Sequence, residues 1–199
     1  MSHNSVIRSL RISPHVDEEL KNIAKERGTS VNAIAEAELT KLVEFGRFTD
    51  EMEYAVVRKA WLAKLIGYLS EEEIREFGQW SGVGPSSESI RFYHGTISLE
   101  SVLRTYEEIG AKYAKFYKFR HESSGSSHTI FLNHGLGMNW SIFYDATLKK
   151  VFRDILGLTI ETELSDNILI GRFEVASGNL TSNRNGSGAV FGTDIVEDL

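Results

Sequence analysis

The sequence predicts an α+β protein with two parts: an N-terminal strand-helix-helix module and a C-terminal antiparallel α+β sheet domain. Three observations carry this. The chain has 199 residues, enough for one small and one medium domain. Its first 46 residues are sharply punctuated by Ser-Pro, Gly and Thr-Ser signals around two helical periods. Downstream, short alternating segments and longer helical ones follow in the order β-α-β-β-α-β-β, which suggests an antiparallel sheet with helices packed on it. Apolar residues make up 41% and charged residues 25%, a globular profile.

The N-terminal elements are set by local chemistry. Ser5 to Ser13 reads as a short strand. Pro14 lacks an N–H and suits the first helical turn. Ser13 is its N-cap, with Asp17, Glu18 and Glu19 near the positive end of the helix dipole. Val16, Leu20, Ile23 and Ala24 recur at helical spacing, and Gly28 supplies the left-handed stop. Thr29 or Ser30 caps a second helix carrying Val31, Ile34, Ala35, Leu39, Leu42, Val43 and Phe45, which stops at Gly46.

Residues 50–69 read as a further helix with apolar residues on more than one face (Tyr54, Val57, Trp61, Leu65, Leu69). Ser70-Glu-Glu-Glu73 is a capping-box pattern opening a short helix with Ile74 and Phe77. Residues 81–87 hold Gly82, Gly84, Pro85 and serines and read as a loop. A strand at Ile90–Ile97 and a helix through Leu99, Val102, Leu103, Tyr106 and Ile109 come next. Then follow a hairpin, Tyr113–His121 and His128–His134, and a long helix (Trp140, Tyr144, Leu148, Val151, Phe152, Ile155) ended by Gly157. A last hairpin, Thr159–Leu164 and Ile168–Val175, turns at residues 165–167. The expected organisation is therefore 1–47 as module, 48–87 as helical connector, 88–176 as α+β domain and 177–199 as a disordered tail rich in Gly, Ser and Asn.

Several function classes are excluded or disfavoured. The absence of cysteine removes disulfides, thiolate metal sites and cysteine nucleophiles. No apolar run approaches the ~20 residues of a membrane span, and Met1–Ser9 has no signal-peptide core, so the expected location is the cytoplasm. The net charge is −6, yet residues 1–47 balance seven Lys/Arg against seven Asp/Glu, so the acidic excess lies downstream. No G-x-S-x-G, H-E-x-x-H or carboxylate dyad is present, and Asp145 and Asp154 read as a solvated helix face. No enzymatic activity and no cofactor are expected.

A strand and two helices within 46 residues cannot bury their own apolar faces. A second copy would pair the strands about a two-fold axis and close a four-helix core. The run from Leu10 to Asn32 resembles the ribbon-helix-helix family of Arc and MetJ type. The resemblance lies in its alternating strand, Ser13-Pro14, Leu20 with Ile23-Ala24, Gly28 and the Thr-Ser-Val-Asn opening of the second helix. It covers about the first quarter of the chain. It implies a homodimer whose two-stranded ribbon reads a palindromic operator in the major groove of double-stranded DNA. By position, Ile7, Ser9 and Arg11 would face base edges, while Leu10 and Ile12 would face the dimer core with Val6 at its edge. Arg11 suits guanine O6 and N7, Ser9 donates or accepts, and Ile7 departs from the usual polar residue and would touch a thymine methyl. Arg8 would reach a phosphate. Ser30, Val31 and Asn32 would hold another at the second helix N-terminus.

The downstream domain is expected to sense a ligand such as a small-molecule effector, to add oligomer contacts, or both. His134-Gly-Leu-Gly-Met-Asn-Trp140 joins a strand to a helix. It reads either as a structural turn anchored by Trp140 or as a place where an anionic ligand meets backbone N–H groups, with His134, Gly135, Gly137 and Trp140 as candidate residues. The neighbouring aromatic residues (Phe116, Tyr117, Phe119, Phe131, Phe143, Tyr144, Phe152) are core, with some able to line a small-molecule pocket. His121 and His128 flank the hairpin turn, but no tight His-x-His pattern accompanies them, and no metal site is expected. The leading expectation is a homodimeric, sequence-specific transcription regulator, such as a repressor. A second keeps the DNA-binding module but makes the chain an antitoxin-type protein that autoregulates and binds a protein partner through its C-terminal domain.

Overall fold

The computed structural model describes residues 6–46, 49 and 51–175. The chain divides into two compact units, Met1–Val57 and Arg58–Leu199. The tail expected over 177–199 and the first residue of the expected strand, Ser5, lie outside the described residues.

Unit 1 is helical where it is regular. Helix α1 spans Pro14–Arg27 and α2 spans Val31–Lys41, extended by a wide π-helical turn over Leu42–Gly46. The signals read from the sequence act as expected. Ser13 Oγ accepts from Val16 N at 3.3 Å, and Pro14 sits in the first turn. Gly28 takes φ 62°, a conformation that costs glycine nothing, and its N–H closes on the end of α1. Ser30, rather than Thr29, caps α2 by accepting from Ala33 N at 3.1 Å. The expected strand is a correction, because residues 6–13 carry no regular structure. A strand is stabilised by ladder bonds to a neighbour, and the described residues of this unit contain none.

Unit 2 opens with α3, Lys59–Ile66. The helix expected over 50–69 is thus much shorter: residues 51–53 form a turn in which Glu53 has φ 52°, and 54–58 are irregular. Ser70 and Glu73 form the expected reciprocal capping box, with Ser70 N donating to Glu73 Oε2 at 2.7 Å. The helix they open, α4, runs 24 residues from Glu71 to His94 and replaces both the loop expected at 81–87 and the strand expected at Ile90–Ile97. Two features explain why Gly and Pro do not break it. Pro85 cannot donate to the carbonyl of Ser81, and the Ser86 hydroxyl donates there instead at 2.7 Å. Gly78 and Gly82 are close-packing sites. A Cβ on Gly78 would lie 2.5 Å from Phe143 O, and one on Gly82 would lie 2.8 Å from Thr147 O.

Helix α5, Leu99–Arg104, is capped by Ser98 and continues as a π-helical segment over Thr105–Tyr113. A four-stranded antiparallel sheet follows, in the order β1-β2-β4-β3, from β1 Lys118–Ser124, β2 Ser127–Asn133, β3 Ile160–Leu164 and β4 Ile168–Glu174. Both expected hairpins form. The first starts later than expected, because Tyr113 still ends the π-helical segment, and it turns more tightly, at Gly125-Ser126.

Between the hairpins lies α6, Met138–Lys150, continued by a π-helical turn over Val151–Ile155. Residues 140–148 of α6 are all buried, as expected of a helix covered on every side: α4 packs along it, and β3 and β4 also contact it. Its apolar side chains join Ile74, Ile90, Val102, Ile130, Leu132, Leu169 and Phe173 in the core. Among the described residues no helix is long and apolar enough to cross a membrane.

Candidate functional site

The residues expected to contact DNA all lie in unit 1 and are accessible. Ile7 is 91% exposed, and Arg8, Ser9 and Arg11 are also exposed. The alternation read from the sequence does not sort these side chains within one chain, since Leu10, expected to face a dimer core, is 69% exposed. At the start of α2, Ser30 Oγ and Ser30 O already hold Ala33 N and Ile34 N. The N–H groups of Val31 and Asn32, in the first turn, have no acceptor within the helix. Ser30 and Asn32 are exposed and Val31 is half-buried. Only Ala24 and Ile34 are buried in the two helices of this unit, while Val6, Ile12, Val16, Leu39, Leu42 and Val43 join Leu10 in solvent.

The turn from His134 to Gly137 in unit 2 is closed on itself. Gly135 and Gly137 adopt φ 65° and 88°, which favour glycine. His134 N and Gly135 N both donate to Asn167 O, at 2.9 and 3.3 Å. Leu136 N donates to His134 Nδ1 at 3.1 Å, so that nitrogen is an unprotonated acceptor. Nε2 must then carry the proton and donate to Ser141 Oγ at 2.9 Å, while Ser141 Oγ donates to Ser165 O at 2.5 Å. Burial, aided by the Lys59 ammonium, holds His134 down at about 4. Lys59 Nζ donates to His134 O at 3.0 Å, and its own value is lowered by burial. A histidine with both ring nitrogens engaged, the donor toward the serine, is not poised to take that serine's proton. The arrangement positions backbone, and the Gly135 N–H that an anion would need is already taken.

Beside this turn lies a run of aromatic contacts. The Tyr144 ring is 5.5 Å from His134, 5.7 Å from Trp140 and 5.5 Å from Tyr117. Tyr117 is 6.2 Å from Tyr106, which stacks on Phe119 at 6.1 Å. Trp140, Tyr117 and Tyr144 are buried, and Tyr106 is half-buried. Trp140 Nε1 is buried without a hydrogen-bond partner. Burial pushes all three tyrosine hydroxyls up, and those of Tyr117 and Tyr144 are raised further by their tyrosine neighbours. The meeting of the three phenols was invisible in the sequence. Helical spacing marks Tyr106 as core, and nothing in the sequence says that a π-helical turn brings it to Tyr117.

No family model and no curated protein matches this chain.

Two further clusters complete the polar inventory. His121 Nε2 and His128 Nδ1 face each other at 2.9 Å, with the rings 7° from parallel, and His128 stacks on Phe173 at 5.0 Å. One of these nitrogens donates its N–H to the other's lone pair, so both are spent on each other instead of converging on a third point. Burial, then His128, lowers His121. Among the described residues no group of three or more His, Asp or Glu gathers as metal ligands. Asp145, read from the sequence as solvated, is instead 3% exposed. Arg75 reaches it at 3.2 Å, Lys149 at 2.8 Å and the Thr162 hydroxyl at 2.5 Å. Three partners from separate elements make its burial tolerable. Asp154 is exposed and is held at about 2 by hydrogen bonds from Arg153 and Lys150.

Proposed function

We propose that the chain is a homodimeric, sequence-specific DNA-binding transcription regulator of the cytoplasm, with a ribbon-helix-helix module at its N-terminus and a ligand-sensing domain behind it. One observation carries the reading. The paired helices of unit 1 bury only Ala24 and Ile34, while an apolar row from Val6 to Ile12, and Leu39, Leu42 and Val43, stay in solvent. A second copy would cover that row, pair residues 6–13 as a two-stranded ribbon, and leave Ile7, Ser9 and Arg11 on the opposite face toward base edges. The free N–H groups of Val31 and Asn32 then suit a phosphate, with Ser30 fixing the turn and Arg8 adding a charge.

The test is operator selection from a random DNA pool, followed by titration of the selected duplex. Arg11→Ala is expected to weaken specific binding by about 1–3 kcal/mol for each lost bidentate contact and to relax preference at one base position per half-site. Unchanged affinity and preference would remove Arg11 from the groove, and a monomer that selects no sequence would end the proposal.

A separate feature favours the antitoxin-type reading. Trp61 and Leu65 lie on one face of α3 and Tyr68 in the turn after it, all exposed, as are Phe77, Trp80 and Val83 on α4. Exposed apolar rows of this kind mark protein contacts. On that reading, Trp61→Ala with Trp80→Ala would abolish binding to a toxin-like protein while leaving DNA affinity intact.

A further inference from the structure

We propose that α4 pairs antiparallel with α4 of a second copy of this chain, which makes unit 2 a dimerisation domain in its own right. The first ground is a second seam on the helix. One side of α4 buries Ile74, Gly78, Gly82 and Ile90. On the other side Phe77, Trp80, Gly84, Ser87 and Arg91 recur at spacings of three and four, the period of helices that pack along one another. Phe77 and Trp80 stack at 5.9 Å and are exposed, Trp80 at 63%, with Val83 exposed beside them. Rings ordered against each other in solvent mark a contact surface.

The second ground names the occupant. Helix α4 opens with Glu71, Glu72 and Glu73 and ends with Arg91 and His94. Laid against itself in reverse, its acidic start meets a basic end, and the two helix dipoles run head to tail. A register that sets Val83 beside the partner's Gly84 also sets Trp80 over the partner's Ser87 and Glu76 opposite the partner's Arg91. Glu76 and Arg91 are exposed and make no ion pair among the described residues. They stand ~22 Å apart along the helix, so they cannot meet within one chain. At the centre a Cβ on Gly84 meets nothing in its own chain, and a glycine or alanine there lets the axes approach to about 8–10 Å. Self-complementarity under reversal is what a two-fold contact requires, and a foreign partner requires no such pattern. A single helix pair covers less than the ~1,600 Å² of a standalone interface, so the contact rests on the homodimer reading of unit 1. Unit 2 begins at Arg58, directly after Val57, and a paired unit 1 therefore presents two copies of α4 at high effective concentration.

The experiment uses the full chain, which has no cysteine of its own. Gly84→Cys places one thiol at the two-fold. Ser124→Cys places one at the exposed end of the first hairpin, as a control with the same attachment to unit 1. Under a mild oxidant Gly84→Cys is expected to form the symmetric disulfide about tenfold faster than Ser124→Cys. In the Gly84→Cys background, Trp80→Glu should slow the reaction about tenfold. Arg91→Glu should slow it about threefold or more, and adding Glu76→Arg should restore it, because the exchanged charges meet again only across the two-fold. All three side chains are exposed, so the fold survives these changes, and an unchanged melting temperature checks it. Equal rates for the two thiols in a chain that sediments as a dimer overturn the proposal and leave the DNA-binding reading standing. A charge exchange that stays slow also overturns it. If Trp80→Glu leaves the rate unchanged but releases a bound foreign protein, the face belongs to that protein and the proposal falls. Fast cross-linking at Gly84→Cys in a chain that selects no DNA supports this contact and sinks the DNA-binding reading alone, whereas a monomer sinks both.

Discussion

His134 shows how much one side chain can be committed. It is 2% exposed, accepts a backbone N–H at Nδ1 and donates from Nε2 to a buried serine. The consequence is a defined pH dependence. Its folded-state value is about 4, against 6.5 for the free side chain. The unfolded chain therefore takes up a proton near pH 6.5 that the folded chain refuses until near 4. Stability is fully present above 6.5, falls through that window and levels off below it. The shift is equivalent to a contribution on the order of 3 kcal/mol. His94 and His121 are lowered too, chiefly by burial, and add in the same direction. Melting temperatures between pH 7 and 4.5 should decline steadily, and His134→Gln should flatten that decline even though it lowers stability at pH 7. A parallel slope in the variant would place the effect elsewhere. The sequence shows His134 beside two glycines, which is enough to suspect a turn. It does not show that Asn167, Ser141 and Ser165 meet there, because those contacts depend on how the two hairpins close around α6.

At the scale of elements, α4 is the instructive case. Ser70 and Glu73 announce its start without ambiguity, because a capping box is a contact between residues three apart. Its continuation was illegible for the same reason in reverse. The Gly82, Gly84 and Pro85 signals are local, whereas what overrides them is a hydroxyl at Ser86 and a helix 60–70 residues downstream against which Gly78 and Gly82 pack. Two glycine substitutions separate these roles. Gly78→Ala forces a methyl onto Phe143 O and the Ala146 Cβ, at 2.5 and 2.8 Å, and should cost about 1–3 kcal/mol in denaturant unfolding. Gly84→Ala meets nothing within 4 Å and should stabilise by about 0.5–1 kcal/mol, since glycine in a helix interior only costs entropy. Equal effects at the two sites would contradict the packing described. The two C-terminal hairpins and α6 were legible because period, turn residues and length agree there. Apolar residues at 54–57 imitate a helix in the sequence, but the chain turns at Glu53, with φ 52°, and stays irregular until α3 begins at Lys59.

At the scale of the molecule, the two units differ in self-sufficiency. Unit 2 has a continuous core from Ile66 to Val175, while the helices of unit 1 bury two residues between them. A segment with so little interior gains stability by association. Leu10→Ala discriminates. In a dimer whose core holds Leu10, the change should cost about 2–5 kcal/mol per buried site and shift the sedimentation equilibrium toward monomer. In a chain where Leu10 stays exposed, the effect should remain within about 0.5 kcal/mol, with no change in mass.

The Asp145 carboxylate ties α6 to Arg75 of α4 and Thr162 of β3. One ionised group thus fastens a helix on one flank and a strand on the other to the same central rod. Withdrawing either flank would take one partner from a buried carboxylate and leave it to Lys149 and the other flank, so the opening of helix and of strand is coupled through this one group.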